Sequence, residues 1–427
     1  MAPKTTEQND ASDLDLAKLG GLAHVYATDK IFPLPTFPGF YTLTGGIMSG
    51  KTTLLKLWMQ TVKVNKQARY SYFSLADMKD TAALVRVLKN SLDTSQSALL
   101  HYVFLDDASA LSDWDKAINE CLNNNLLQQV VLVVADVDYS ITAKAKQLFA
   151  TLYQYNIHLT SLSFHEVVLL KNPNKEIEQI NLLEEFNQYL LHGGNLNAIN
   201  DMAKSGKILD TTLKNYMHRL KKLILKHGRH ENFLQEIFDA MIKHYDSPIT
   251  WNELSHELSI EHPKTIQDYI TLLATYDAVF IQSALGANQR DAAPKKARKL
   301  MFTDPFIFHA VRAWLNPVND VFNTQISPIQ NDLALSAKLV TACVITHFSR
   351  HFSTFYIKAQ GMIDLAYLAN NKVYPIVVHW NNHFQAKDLK QILKYPNGKI
   401  LTKMQRSGVI EHIRTEPVPY ALWKLGV

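Results

Sequence analysis

Cysteine is nearly absent from this chain. There are two in 427 residues, Cys121 and Cys343, far apart and each in apolar surroundings. With no Cys-x-x-Cys pair and no even framework, a disulfide scaffold and a cysteine-based zinc site are excluded. Two reduced, buried side chains of an intracellular protein are expected. Long apolar runs are missing too: none approaches the roughly 20 residues a membrane helix needs. The opening stretch "MAPKTTEQNDASDLDLAKLGG" has no apolar core of a secretory signal, so a cytoplasmic location without a membrane partner is expected. Charge of one sign is in short supply. Forty-four Lys and Arg against 39 Asp and Glu leave a net charge of +5, too mild over this length to announce a nucleic-acid binder. The 17 histidines show no His-Glu-x-x-His spacing, and no Gly-x-Ser-x-Gly or Cys/His pairing points to nucleophilic catalysis. Glycine is scarce, 15 in all, so a cluster of glycines stands out.

What is present is an ordinary globular composition, 47% hydrophobic and 19% charged, in a chain long enough for two or three domains. Residues 1–18 read as a flexible polar tail. From 19 to 170, short apolar runs alternate with longer amphipathic ones. "GFYTLTGG", "ARYSYFSL", "HYVFLDD" and "QQVVLVVADV" read as strands; "GKTTLLKLWMQTVK", "TAALVRVLKNSL" and "WDKAINECLNN" read as helices. Strands apolar throughout and separated by helices predict a buried parallel sheet, an α/β fold class. Residues 171–245 read as a helical lid or linker. A helix-turn-helix pattern lies at 247–282, within a segment 246–315, and 316–427 is a second mixed α/β region.

The stretch "GGIMSGKTT" fits G-x4-G-K-[ST] through Gly45, Gly50, Lys51 and Thr52. A phosphate wrapped by consecutive backbone N–H groups needs glycine where a side chain would block approach. Lys51 offers a point charge to the β/γ-phosphates and Thr52 a hydroxyl to Mg²⁺, while the helix that follows aims its positive end at the same place. Gly46, Ser49 and Thr53 complete the candidate loop for ATP. Such a site also needs a carboxylate on a neighbouring strand, and "YVFLDDASAL" supplies Asp106 for Mg²⁺ and Asp107 as a provisional water-orienting residue.

With these residues the chain resembles bacterial and archaeal P-loop ATPases of the AAA+/STAND type, in which an ATPase core precedes a winged helix and a C-terminal domain of restriction-endonuclease-like fold. The resemblance spans about residues 25–410. It is carried by "GGIMSGKTTLL", "VFLDDAS", "TSLSFHEVV", "YLLHGGNLNAI", the segment 247–282, "KLMFTDP" and "IDLAYLANNKVYPIVV". It implies an ATP- and Mg²⁺-binding switch with a protein partner or homo-oligomer. Three departures bear on hydrolysis. Asp107 stands where the family carries glutamate, one methylene longer. Asp136 and Asp138 fall where a neutral polar side chain would meet phosphate, and a carboxylate there would repel it. The stretch before "LSF" lacks the family's arginine, removing a candidate for stabilising transition-state charge. Binding with slow or partner-dependent hydrolysis is therefore expected.

In the helix-turn-helix segment, 251–258 reads as one helix and Pro263 as the first residue of a second, with Ile266, Ile270 and Leu273 as its buried stripe. Its exposed face offers Lys264, Gln267, Asp268 and Thr271, a poor phosphate reader. The basic loop with Lys295, Lys296, Arg298 and Lys299 could add DNA backbone contacts from a wing position, but a protein-contact module is the favoured reading over DNA. Restriction-type nucleases place Asp, then Glu-x-Lys on the next strand. Here Asp364 matches the first acid, Val377 and His379 occupy the Glu and Lys positions, and Thr341 replaces an upstream glutamate, so nuclease activity is not expected.

Overall fold

The computed structural model describes residues 19–64, 68–92, 99–358, 361–381 and 389–426; the tail at 1–18 lies outside them. The chain divides into two compact units, Met1–Thr160 and Ser161–Val427.

The first unit is built on five parallel strands: β1 (Gly39–Gly45), β2 (Ala68–Ser74), β3 (Leu100–Asp106), β4 (Val130–Ala135) and β5 (Gln154–Leu159). The order across the sheet is β2-β3-β4-β1-β5. Four helices connect them: α1 (Lys51–Val64), α2 (Thr81–Leu92), α3 (Trp114–Asn123) and α4 (Ser140–Leu148). The unbroken apolar reading of β4 follows from burial on both faces. Val131, Val133 and Ala135 pack with Leu54, Leu55 and Trp58 of α1, while Leu132 and Val134 face Leu88 of α2, Ile118 of α3 and Ile141 of α4. Side chains alternate across a strand, so a strand covered on both sides has no polar position to spare. The α/β fold class is as expected.

Because the strands are parallel, their carboxyl ends share one edge of the sheet. Gly45 is level with Leu159, Ser74 with Asp106, and Leu43 with Ala135. Ligands in open α/β sheets bind outside that edge.

The second unit begins with helices: α5 (Phe164–Lys171), α6 (Leu182–His192), α7 (Leu196–Ser205), α8 (Asp210–Lys226), α9 (Glu231–Lys243), α10 (Trp251–Glu257) and α11 (Pro263–Thr275). Pro263 opens α11, and Ile266, Ile270 and Leu273 are buried. An antiparallel hairpin follows, β6 (Val279–Ala284) with β7 (Arg298–Phe302). After α12 (Pro305–Leu315) and α13 (Leu333–Ser349) come β8 (Thr354–Lys358), β9 (Met362–Ala369), β10 (Lys372–His379), β11 (Lys399–Thr402), β12 (Gly408–Ile410), β13 (Ile413–Pro417) and α14 (Val418–Lys424). All eight strands join one mixed sheet, β12-β13-β11-β10-β9-β8-β6-β7. The segments 246–315 and 316–427 thus share a sheet, joined where Ser283 and Ala284 pair in parallel with Phe355 and Tyr356. Among the described residues, no helix is long and apolar enough to cross a membrane. Both cysteines are free and buried.

Candidate phosphate-binding site

The glycine-rich loop hangs between the end of β1 and the start of α1. Gly45 sits at φ +148, where an added Cβ would lie 2.0 Å from the Leu159 carbonyl oxygen of β5, so only glycine lets the two strands end side by side. Gly50 has φ +98, and an added Cβ there would meet nothing within 4 Å. Its glycine is required by backbone conformation, and the space beside it is open. Met48 also adopts a left-handed conformation, φ 60. Lys51 is buried and curls back over the loop: its Nζ donates to the carbonyl oxygens of Gly45 at 2.9 Å and Gly46 at 2.8 Å, and reaches Ser49 Oγ at 3.5 Å. The first turn of α1 carries no acidic residue that would compete for its positive end. Thr52 is exposed and Thr53 half-buried at the same turn.

Asp106 ends β3 on the same edge and is buried. Its Oδ2 accepts from the Tyr72 hydroxyl at 3.0 Å, and its Oδ1 from the Asp107 backbone N–H at 3.0 Å. Burial, then the Asp106 charge, holds the Tyr72 hydroxyl far above the usual phenol range, so it stays a donor. The expectation that this carboxylate lies on the strand next to the loop strand is corrected: β4 intervenes between β1 and β3. The order of strands is set by the long crossovers, which no local pattern encodes. Asp107 is exposed and left-handed, at φ 54, ψ 47.

Asp136, just past β4, is 1% exposed. Its carboxylate accepts from the backbone N–H groups of Ser109 and, at 2.8 Å, Asp138. Burial raises its pKa against these hydrogen bonds. It thereby ties the turn after β3 to the end of β4. Asp138 accepts from Ser140 N–H at 2.8 Å at the start of α4. On β5, Nδ1 of His158 lies 2.9 Å from the Thr44 hydroxyl, just before the loop. Tyr72 and His158 escaped the sequence reading because neither belongs to a spaced motif; only the pairing of strands brings them here.

In the second unit, the basic loop expected at 295–299 is corrected. Lys299 is not a loop residue. It is a fully buried β7 side chain, paired with Asp246 at 2.8 Å and Asp364 at 3.7 Å. Alternation along β7 turns it inward, where two carboxylates neutralise it; Asp246 is pushed up to about 6 by burial, against the pull of Lys299. Arg298 lies over the Trp251 ring at 4.3 Å and donates to the carbonyls of Pro294 and Lys296. Only Lys295 and Lys296 remain exposed. On α11, Lys264 pairs with Asp268 at 2.8 Å. Asp364 accepts from the Val378 N–H at 2.9 Å, and Val377 is buried on the adjoining strand β10.

Three of the motifs quoted above meet in one buried knot within this unit. Gly194 N–H donates to Asp304 Oδ2 at 2.8 Å, and Phe306 N–H to its Oδ1 at 2.8 Å. Leu162 N–H donates to the Gly194 carbonyl at 3.1 Å, and the Tyr189 hydroxyl to the Leu162 carbonyl at 2.9 Å. A Cβ on Gly193 would fall 1.8 Å from Asp304, and one on Gly194 1.9 Å from the Leu162 carbonyl. "LSF", "YLLHGG" and "FTDP" are therefore packing signatures.

Residues 38–168 match the AAA domain family, and residues 183–317 match a domain of unknown function, DUF8612. None of the curated proteins matches the chain. Among solved structures, Orc1 of Aeropyrum pernix in complex with DNA is 11% identical over 76% of this chain and 95% of its own, with a TM-score of 0.33. RuvB of Thermotoga maritima is 14% identical over 65% and 92%, TM-score 0.32. The HORMA:CdnC:Trip13 complex of E. coli MS115-1 is 12% identical over 52% and 84%, TM-score 0.28. Likenesses this loose carry no argument about ligand or partner. The AAA domain match coincides with the five-stranded unit and its glycine loop.

Proposed function

We propose that the protein is an ATP-binding switch whose phosphate loop is competent and whose hydrolysis is slow or dependent on a partner. One observation carries this reading. A left-handed Gly50 beside open space and a Lys51 folded over the loop lie in a segment matching an AAA domain, with a buried carboxylate at the same sheet edge. The donors suit ATP with Mg²⁺: backbone N–H groups and one ammonium for phosphate, and hard oxygens of Thr52 and Asp106 for the metal. Gly45, Gly46, Ser49, Gly50, Lys51, Thr52 and Thr53 would hold the nucleotide. Bound Mg²⁺ would neutralise charge on the phosphates. Lys51, which holds the Gly45 and Gly46 carbonyls, would supply positive charge to the phosphates of a bound nucleotide, and release of those carbonyls would make the loop conformation responsive to occupancy. Asp107 would orient water, but its short side chain on a left-handed, exposed backbone supports slow turnover. The segment α10–α11 with the β6–β7 hairpin supports a winged helix. The succession α13-β8-β9-β10-β11 supports a degenerate nuclease-like fold, with Asp364 engaged by Lys299 and Val378. A protein partner or a second copy would read the nucleotide state.

The test is thermal unfolding with and without ATP·Mg²⁺. Nucleotide at about 100 times its Kd adds about 2.7 kcal/mol, a shift of roughly 5–10 °C for a unit this size. Lys51→Ala should abolish the shift. No shift in the wild type, or an equal shift in the variant, sinks the reading.

A further inference from the structure

Helix α8 (Asp210–Lys226) carries five Lys or Arg against one Asp, a net +4 beside the +5 of the whole chain. Its apolar side, with Leu213, Tyr216, Met217, Leu220 and Ile224, is buried, and Tyr216 meets Phe306 of α12 edge-on at 5.5 Å. The opposite side exposes Lys214, His218, Arg219, Lys222 and Lys226. Spacings of three and four place these on one face, about 18 Å from end to end. Lys221, at the margin, pairs with Glu231 at 3.0 Å. Lys214, Arg219 and Lys222 have no ion-pair partner among the described residues. Helices that are merely solvated intersperse acids at i+4 to relieve like charge; here the one acid is Asp210 at the start of the helix, and none lies between Lys214 and Lys226.

From this face we infer a second binding site, one for the phosphate backbone of duplex nucleic acid. Charge complementarity selects the occupant. A cationic ridge of about 18 Å spans roughly five base pairs of duplex at 3.4 Å each, a length over which phosphates are dense and regular. A single strand is disfavoured because no Phe, Tyr or Trp lies on the face; the helix's one tyrosine, Tyr216, is buried. A lipid surface is disfavoured because an interfacial helix must offer its apolar side, which here is committed to the protein core. Contacts through phosphate alone bind without sequence preference and depend steeply on salt.

The experiment is fluorescence anisotropy of a labelled duplex of about 30 base pairs with the full chain, no nucleotide present, across about 50–300 mM KCl. Duplex binding at low salt is expected, with log affinity falling against log salt at a slope of about −3 to −4. The variant Lys214→Gln/Arg219→Gln/Lys222→Gln should weaken binding at least about tenfold and flatten the slope by about 3. Lys214→Arg/Lys222→Arg should retain both, which separates charge from any disturbance of the fold. Lys295→Gln/Lys296→Gln should leave both unchanged. The inference is overturned by no binding at low salt or by an unchanged slope in the glutamine variant. It is equally overturned by loss that tracks the loop variant, or by adsorption to anionic phosphatidylserine vesicles without duplex binding. Since nucleotide is absent, none of these results bears on the ATP reading.

Discussion

Lys51 shows what a residue can and cannot reveal in isolation. Its place in the motif was legible because the chemistry of a phosphate loop needs glycine and lysine at fixed spacing. Its buried, folded-back posture was not, since that depends on where two carbonyls point. Asp107 is the complementary case. The pair Asp106-Asp107 was visible, but the left-handed backbone at Asp107 was not. Asp107→Glu restores the longer carboxylate and should raise ATP turnover by about tenfold or more, measured as phosphate release, although glutamate tolerates that backbone less well than aspartate. Unchanged turnover would show that reach is not what limits hydrolysis. Gly194 yields a prediction of a different kind. Gly194→Ala drives a Cβ into the Leu162 carbonyl, so a loss of roughly 1–3 kcal/mol is expected in denaturant unfolding, with nucleotide affinity of the folded protein intact.

At the scale of elements, legibility followed burial symmetry. β4 was readable because both faces are covered. β5 was not identified, for it is an edge strand whose Tyr155 is exposed and whose polar and apolar positions mix. β7 was mistaken for basic loop because the carboxylates that neutralise Lys299 come from Asp246 and Asp364, distant in sequence. Buried histidines on β3, α12 and α13 make stability depend on pH. Burial pushes His101 down to about 4, His309 to about 4 and His347 to about 3. His347 is held neutral between two backbone groups, accepting from Phe164 N–H at 3.0 Å and donating from Nδ1 to the Cys343 carbonyl at 2.7 Å. Their folded values lie below the unfolded value of about 6.5, so the stability they contribute is fully present above that pH and is lost as pH falls toward 4. Asp246, raised to about 6, binds its proton earlier in the fold and offsets part of one histidine. Melting temperature should therefore be level above about pH 7 and fall between about 6.5 and 4.5. A level profile down to pH 5 would contradict these burials.

Across the whole molecule, the α/β class and the succession of strands and helices around the loop were legible. The strand order β2-β3-β4-β1-β5 and the sheet shared by 279–302 and 354–417 were not, because both arise from pairings between segments far apart. The AAA domain match covers 38–168; in the proposed switch the larger second unit would carry the output. The cationic face proposed on α8 would be one such output, and it drew no notice in sequence because net charge averages it away.

Nucleotide binding without brisk hydrolysis is the central claim, and ATP affinity measured beside ATP turnover on one preparation tests it most directly. The account predicts micromolar or tighter binding of ATP·Mg²⁺ that Lys51→Ala removes, with turnover far below the median enzyme rate of about 10 s⁻¹, slower than about one per minute. No binding at millimolar ATP, or turnover near the ordinary enzyme rate by the chain alone, would contradict it.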